Sequence, residues 1–185
     1  MTNPTTRTLG KDDWMTEALL FDPLHALVCF DFDACATDAE VAQLPVFISP
    51  EQDALKVRWA DFGKRGFVNP PYGRTIHRWF AKAAAACAEG CDTVVLLTYA
   101  NTDTKYWRQH VVENPLTQLV IFLTPRLHFV RPDGVSAGGA PKGSALVIYS
   151  STPRKTATIP HTYWSYKTQP LADVLSTLIP EQHHD

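Results

Sequence analysis

At 185 residues, 45% hydrophobic and 19% charged, the chain has the size and composition of one soluble globular domain with a substantial core. A formal net charge of -2 excludes a global basic field, although a local basic patch could still exist. No apolar run reaches the length of a membrane span, and the opening MTNPTTRTLGKDDW lacks the apolar centre of a signal peptide, so a cytoplasmic location is expected.

Residues 1–11 read as a disordered arm and 12–185 as a single domain without internal repeats. In DDWMTEALLFDPLHAL an acidic start precedes a helical rhythm at Trp14, Ala18, Leu19, Leu24 and Leu27, in spite of Pro23. VCFDFDACATDAE predicts an apolar strand ending at Asp33, then a turn of small residues. LPVFISPEQDALKVRWADFGKRG predicts a loop region with a short extended piece near 46–48. In RGFVNPPYG an apolar strand is stopped by two consecutive prolines. TIHRWFAKAAAACAEG is an alanine-rich helix that stops at Gly90. DTVVLLTYA predicts a buried strand, TDTKYWRQHVVENP a helix ended by Pro115, and LTQLVIFLT another buried strand. RLHFVRPDGVSAGGAPKGSALVIYS predicts a strand, a Gly/Pro-rich loop and a closing strand over 145–150, and QPLADVLSTLIP a final helix.

This alternation predicts an α/β fold, a mostly parallel sheet with helices on both faces. Ligands of such sheets bind at the carboxyl ends of the strands, where two motifs fall: Asp33 with its turn, and Asn69-Pro70-Pro71-Tyr72. Cys29, Cys35, Cys87 and Cys91 follow no zinc-knuckle spacing and read as buried or half-buried thiols. The adjacent histidines of the terminal EQHHD read as a polar tail, and no metal site is expected.

The Asn-Pro-Pro-Tyr turn has a definite chemistry. Asparagine offers one carbonyl acceptor and one amide donor. The prolines present carbonyls without competing N–H groups and reduce the entropy cost of holding one shape. Tyrosine adds a flat face with a polar tip. Together they suit a flat group bearing an amine, such as adenine, whose amine lone pair is delocalised into the ring. Two acceptors, the Asn69 side chain and the Pro70 carbonyl, can turn the amine hydrogens out of the ring plane and aim the lone pair at an electrophilic methyl group. The alternative is that NPPYG is only a tight strand-ending loop. Likewise Asp33 could merely cap its turn, Asp53 could be a solvated loop carboxylate, and the five tryptophans are more often packing than stacking platforms. Arg65, Arg74, His77 and Arg78 around the turn are either a solvated face or contacts to phosphate.

NPPY resembles the (D/N/S)-P-P-(Y/F/W) motif of S-adenosylmethionine-dependent amino-methyltransferases. The ordered set DDWMTEALLFDPL, FDFDACAT, SPEQDAL with Trp59, FVNPPYGR, TYANTDTKYW and FLTPRLHF with APKGSALVIYS resembles the phage-type DNA N-6-adenine methyltransferase (Dam-like) family over roughly residues 12–150. That resemblance implies a Rossmann-like class I methyltransferase fold, S-adenosyl-L-methionine as cofactor, and double-stranded DNA as partner, with the target adenine flipped out of the duplex. It implies Asn69, Pro70, Pro71 and Tyr72 as the catalytic turn. It implies that Trp14, Thr16, Asp33, Ala34, Cys35 and Asp53 (with Ala54 and Leu55) contact the cofactor. Asp103 and Thr104 fall where target-side contacts are expected, and Arg126, Lys142 and Ser144 where the substrate approaches. Arg74 beside the turn and the loop holding Arg131 and Lys142 are expected to supply the basic DNA surface. Two departures stand out: DACATDA replaces the usual Gly-x-Gly cofactor turn, and DAL and PRL replace D-G-L and Gly-Arg-Leu. Rival readings are an amino-methyltransferase acting on RNA or on a protein glutamine, and a non-catalytic binding module of the same fold. No obligate protein partner is evident.

Overall fold

The computed structural model describes residues 15–130 and 136–178. In chain order the elements are α1 (Ala18–Val28), β1 (Phe32–Asp33), a 3-10 turn (Trp59–Asp61), β2 (Arg65–Val68), α2 (Ile76–Ala88), β3 (Thr93–Tyr99), and α3 (Lys105–Trp107) running into a π-wound turn (Arg108–Val112). There follow β4 (Thr117–Thr124), β5 (His128–Val130), β6 (Ser136–Gly139), β7 (Ser144–Ser150), β8 (His161–Ser165) and α4 (Leu171–Ser176).

Successive side chains of β3 enter different cores: Val94 and Leu96 one, Val95 and Leu97 the other, all fully buried. A strand apolar on both faces belongs in the interior of a sheet covered on both sides. One cover is α2, with Trp79, Phe80 and Ala83 against the sheet, joined by Trp107 and Val111. The other is α1, through Leu20, Phe21 and Leu24, and α4, through Leu171 and Val174. Helices therefore lie on both faces, as expected.

The six-stranded sheet has the order β1-β2-β3-β7-β4-β8. The β1–β2, β2–β3 and β4–β8 pairings are parallel, while β7 is antiparallel to both its neighbours. The sheet is thus α/β but mixed rather than purely parallel. β7 follows the short β5–β6 hairpin and needs no crossover helix to return beside β3, so it enters reversed.

Most sequence-read elements are present. The piece near 46–48 pairs alongside β1, with the Asp33 amide donating to the Val46 carbonyl at 2.9 Å and the Ile48 amide to the Asp33 carbonyl at 2.9 Å. α2 ends at Ala88 and Gly90 takes the positive φ of 123° that releases the chain. The α1 face is a correction. Leu24 is buried as expected, but Leu19 and Leu27 are 60% and 55% exposed, and Leu20 and Phe21 face the sheet instead. Phe21 sets this phase, meeting Phe67 of β2 edge-on with ring centres 5.1 Å apart. Cys29 is another: it caps α1 in the left-handed region, φ 54°, and is exposed rather than buried, while Cys35 is half-buried and Cys87 and Cys91 are buried. β6 and β8 were not anticipated. Trp14, Arg131 and the terminal histidines lie outside the described residues. Among the described residues no helix is long and apolar enough to cross a membrane.

Candidate active site

β1, β2 and β3 run parallel, so their carboxyl ends share one edge of the sheet. A cavity of about 560 Å³ opens there. The turn after β1 supplies Ala34, Cys35, Ala36 and Thr37, the turn after β2 supplies Asn69 to Tyr72, and β3 ends in Tyr99 at its wall. Ile48, Ala54 and Trp79 give it apolar sides, Ser49 and Asp53 polar ones, and Gly139 at the end of β6 approaches with Ala140 and Pro141 of the connection to β7. A cavity of this size, mostly apolar with a few polar groups, is the usual form of a small-molecule site.

Asp33 lies at the end of β1, 3% exposed. Its Oδ1 accepts from the Cys35 amide and its Oδ2 from the Gln43 amide, each at 3.0 Å. Burial pushes its carboxyl above the ordinary range, against the pull of those two amides. Both oxygens are therefore engaged in shaping the cavity turn. Asp31, two residues earlier, faces the opposite way chemically. It accepts from the Lys64 and Arg65 amides and from the Arg65 guanidinium, and the guanidinium hydrogen bond holds its carboxyl below the ordinary range.

From Gln43 the hydrogen bonds continue to the Asn-Pro-Pro-Tyr turn. Gln43 Nε2 donates to the Thr16 carbonyl at 3.3 Å, and Asn69 Nδ2 donates to Thr16 Oγ1 at 3.3 Å. The other end of the Asn69 amide, Oδ1, accepts from the Tyr72 hydroxyl at 2.9 Å. Burial raises the Tyr72 phenol well above its ordinary value, so it stays protonated and able to donate. Its ring stacks on Tyr99 with centroids 4.1 Å apart and planes 24° from parallel. The oxygen of Asn69 has a second lone pair for a further donor.

The sequence-derived residues separate into groups. Asn69, Pro70, Pro71, Tyr72, Ala34, Cys35 and Asp53 all line the cavity. Asp53 sits in the left-handed region at φ 55°, which aspartate tolerates, and its carboxylate pairs with Lys56 Nζ at 2.8 Å. Thr16, expected beside the cofactor, is buried and bonded to Asn69. Arg126 Nη1 donates to the Pro141 carbonyl at 3.0 Å, and Lys142 Nζ to Asn101 Oδ1 at 3.0 Å, beside a smaller hollow of about 240 Å³ that Tyr72 and Tyr99 also line. Arg74 is exposed just past the turn, with Arg78 exposed on the first turn of α2.

Three expectations do not fit this geometry. Ser144 was expected to approach substrate but is 1% exposed, because β7 begins there, paired to Tyr99 on one side and Leu123 on the other. Thr104 is taken up as the cap of α3, accepting from the Trp107 amide at 3.3 Å and donating to the Asn101 carbonyl at 2.8 Å, while Asp103 next to it is exposed. Arg65 starts β2, at the opposite end from the cavity, where Asp31 holds it at 2.8 Å. Sequence reading also missed Tyr99 and Gln43. A tyrosine closing a buried, mostly apolar strand was the available signal for Tyr99; nothing local marks Gln43.

The fold and site define an α/β domain with a ligand cavity at the carboxyl edge of parallel strands and an Asn-Pro-Pro-Tyr turn on its rim. The chain belongs to the DNA N-6-adenine-methyltransferase (Dam) family, whose model matches residues 3–170. Membership implies DNA adenine-N6 methyltransferase activity. No curated protein and no solved structure matches the chain.

Proposed function

We propose that the protein is a Rossmann-like, S-adenosylmethionine-dependent enzyme that methylates the exocyclic amine of an adenine flipped out of double-stranded DNA. The observation that carries this reading is the Asn69 carboxamide on the rim of the cavity, fixed at both ends, with one carbonyl lone pair still available. Family membership supplies the reaction class.

The cavity fits the cofactor. Ala34 and Ala36 stand where many methyltransferases carry glycine, yet their methyl groups leave about 560 Å³. Both residues are buried, 0% and 7% exposed, and Ala34 belongs to the core behind the turn. Ile48, Ala54 and Trp79 would flank an adenine ring, Asp53 would accept from ribose hydroxyls, and the 34–37 turn would hold the methionine end. When bound, the cofactor supplies a methyl group on a positively charged sulfur. Asn69 Oδ1 accepts a hydrogen of the target amine and holds it in the orientation that frees the nitrogen lone pair. As the amine becomes cationic, that carbonyl dipole already points at the developing charge. Tyr72 offers its ring to the flipped base, and Tyr99 backs it. The exposed Arg74 and Lys142 contribute phosphate contacts, which weaken as salt rises.

The experiment is product analysis. The protein is incubated with methyl-labelled S-adenosylmethionine and an adenine-containing duplex, beside RNA and a glutamine-containing peptide. N6-methyladenine in the duplex is the expected product. Label only in RNA or peptide, or no transfer with no cofactor binding, overturns the reading.

A further inference from the structure

We infer that Thr16 is a positioning residue that pins the Asn69 carboxamide from the side away from its reacting oxygen. The inference rests on the reading of Asn69 given above and deepens it.

The torsion that turns an asparagine amide is broad and roughly two-fold, so packing alone leaves its plane loosely set. A carbonyl that must meet one particular amine needs partners at both ends. Tyr72 provides one, at Oδ1, but its ring is also the surface offered to the base. Thr16 provides the other, accepting from Nδ2 through Oγ1 across 53 positions of sequence.

Thr16 is itself unusually well fixed. It is 5% exposed, and its carbonyl accepts from Gln43 Nε2. Gln43 is in turn tied by its amide to the buried Asp33. On the other side, Glu17 anchors the chain: Oε1 accepts from the His128 amide at 3.1 Å and Oε2 from the Tyr166 hydroxyl at 3.3 Å. A hydroxyl held so firmly is a fixed reference against which the amide is set. Thr16 is outside the lining of the cavity, so its bond to Asn69 and the cofactor contact expected of it are told apart by titration.

Thr16→Val replaces the hydroxyl by a methyl of similar size, and Thr16→Ala is a second hydroxyl-free variant. Methyl transfer to an adenine duplex is measured as kcat and KM, with cofactor binding titrated separately. Both variants are expected to lose kcat by on the order of ten- to a hundredfold, with cofactor affinity and DNA KM nearly unchanged. Thr16→Ser restores the acceptor and is expected to recover most of the turnover. In an Asn69→Ala background, Thr16→Val is expected to add nothing, because its only catalytic partner is gone. The inference is overturned if the hydroxyl-free variants keep parental kcat, if serine does not rescue, or if the loss tracks cofactor affinity. If Asn69→Ala alone retains parental turnover, the reading of Asn69 fails first, and with it the reason for a pin.

Discussion

The two halves of the sheet differ in what their strands deliver. β1, β2 and β3 run parallel, and each ends in a residue or turn of the cavity: Ala34, Asn69 and Tyr99. β7 runs the other way, so it meets that edge with its first residue, Ser144, which is buried against Tyr99. That half reaches the cavity by the connection before the strand, Gly139 to Pro141, braced from β4's end by Arg126. The parallel half opens into the cavity and the mixed half supplies mass: Tyr149 and Trp164 are fully buried in β7 and β8. Strand direction explains why site residues crowd into one half of the sheet.

The largest effect belongs to the scaffold half. Trp164 is completely buried, and its ring N–H donates to the Gln169 carbonyl at 2.8 Å. Trp164→Ala should lose about 3–5 kcal/mol of stability in urea unfolding while turnover per folded molecule stays the same. A collapse of specific activity at full folding would break the division of labour.

Next comes Asp33, which belongs to both accounts. Asp33→Ala leaves the Cys35 and Gln43 amides without their acceptor, at about 1–3 kcal/mol for each that stays unpaired. Both stability and cofactor affinity should fall, since the cavity turn loses its anchor. Full stability with lost cofactor binding would assign Asp33 to direct contact instead. A smaller effect is expected at Tyr72→Phe, which keeps the ring on Tyr99 but removes the bond to Asn69 Oδ1. Turnover should fall severalfold, about 0.5–1.5 kcal/mol, measured as kcat at saturating duplex.

The smallest effect concerns pH. The carboxyl of Asp31 is lowered by Arg65, so its stabilisation is present above the unfolded value of 3.8 and is lost as pH falls through the lower folded value. Asp33 is raised by burial, so its charge opposes folding at neutral pH, and that cost is relieved as pH falls through the raised value toward 3.8. The pair with Arg65 is part-exposed, so Asp31→Asn should cost no more than about 1 kcal/mol at neutral pH and should flatten the acid limb of the stability curve. An unchanged acid limb would remove Asp31 from the account.

How much of this was legible in the sequence follows the range of each interaction. The end of β1 at Asp33, the stop at Gly90 and the Asn-Pro-Pro-Tyr turn are local signals, and each stands where it was read. The face of α1 was not readable, because Leu19, Leu20, Phe21, Leu24 and Leu27 offer two overlapping apolar stripes and only the meeting of Phe21 with Phe67 decides between them. β8 escaped notice although it holds Trp164, since a five-residue strand on the sheet edge has too short a pattern to declare itself. The link from Thr16 to Asn69 joins residues that no periodicity connects. Short-range chemistry named the turn, and tertiary packing alone revealed what holds it.

The central claim is that Asn69 works on the amine and leaves cofactor binding to the cavity. Asn69→Ala tests it most directly, with methyl transfer to an adenine duplex followed in a single turnover beside a titration of S-adenosylmethionine. The account predicts a drop in transfer of about a hundredfold or more with cofactor affinity nearly unchanged. Transfer at the parental rate, or a loss explained entirely by weaker cofactor binding, would contradict it.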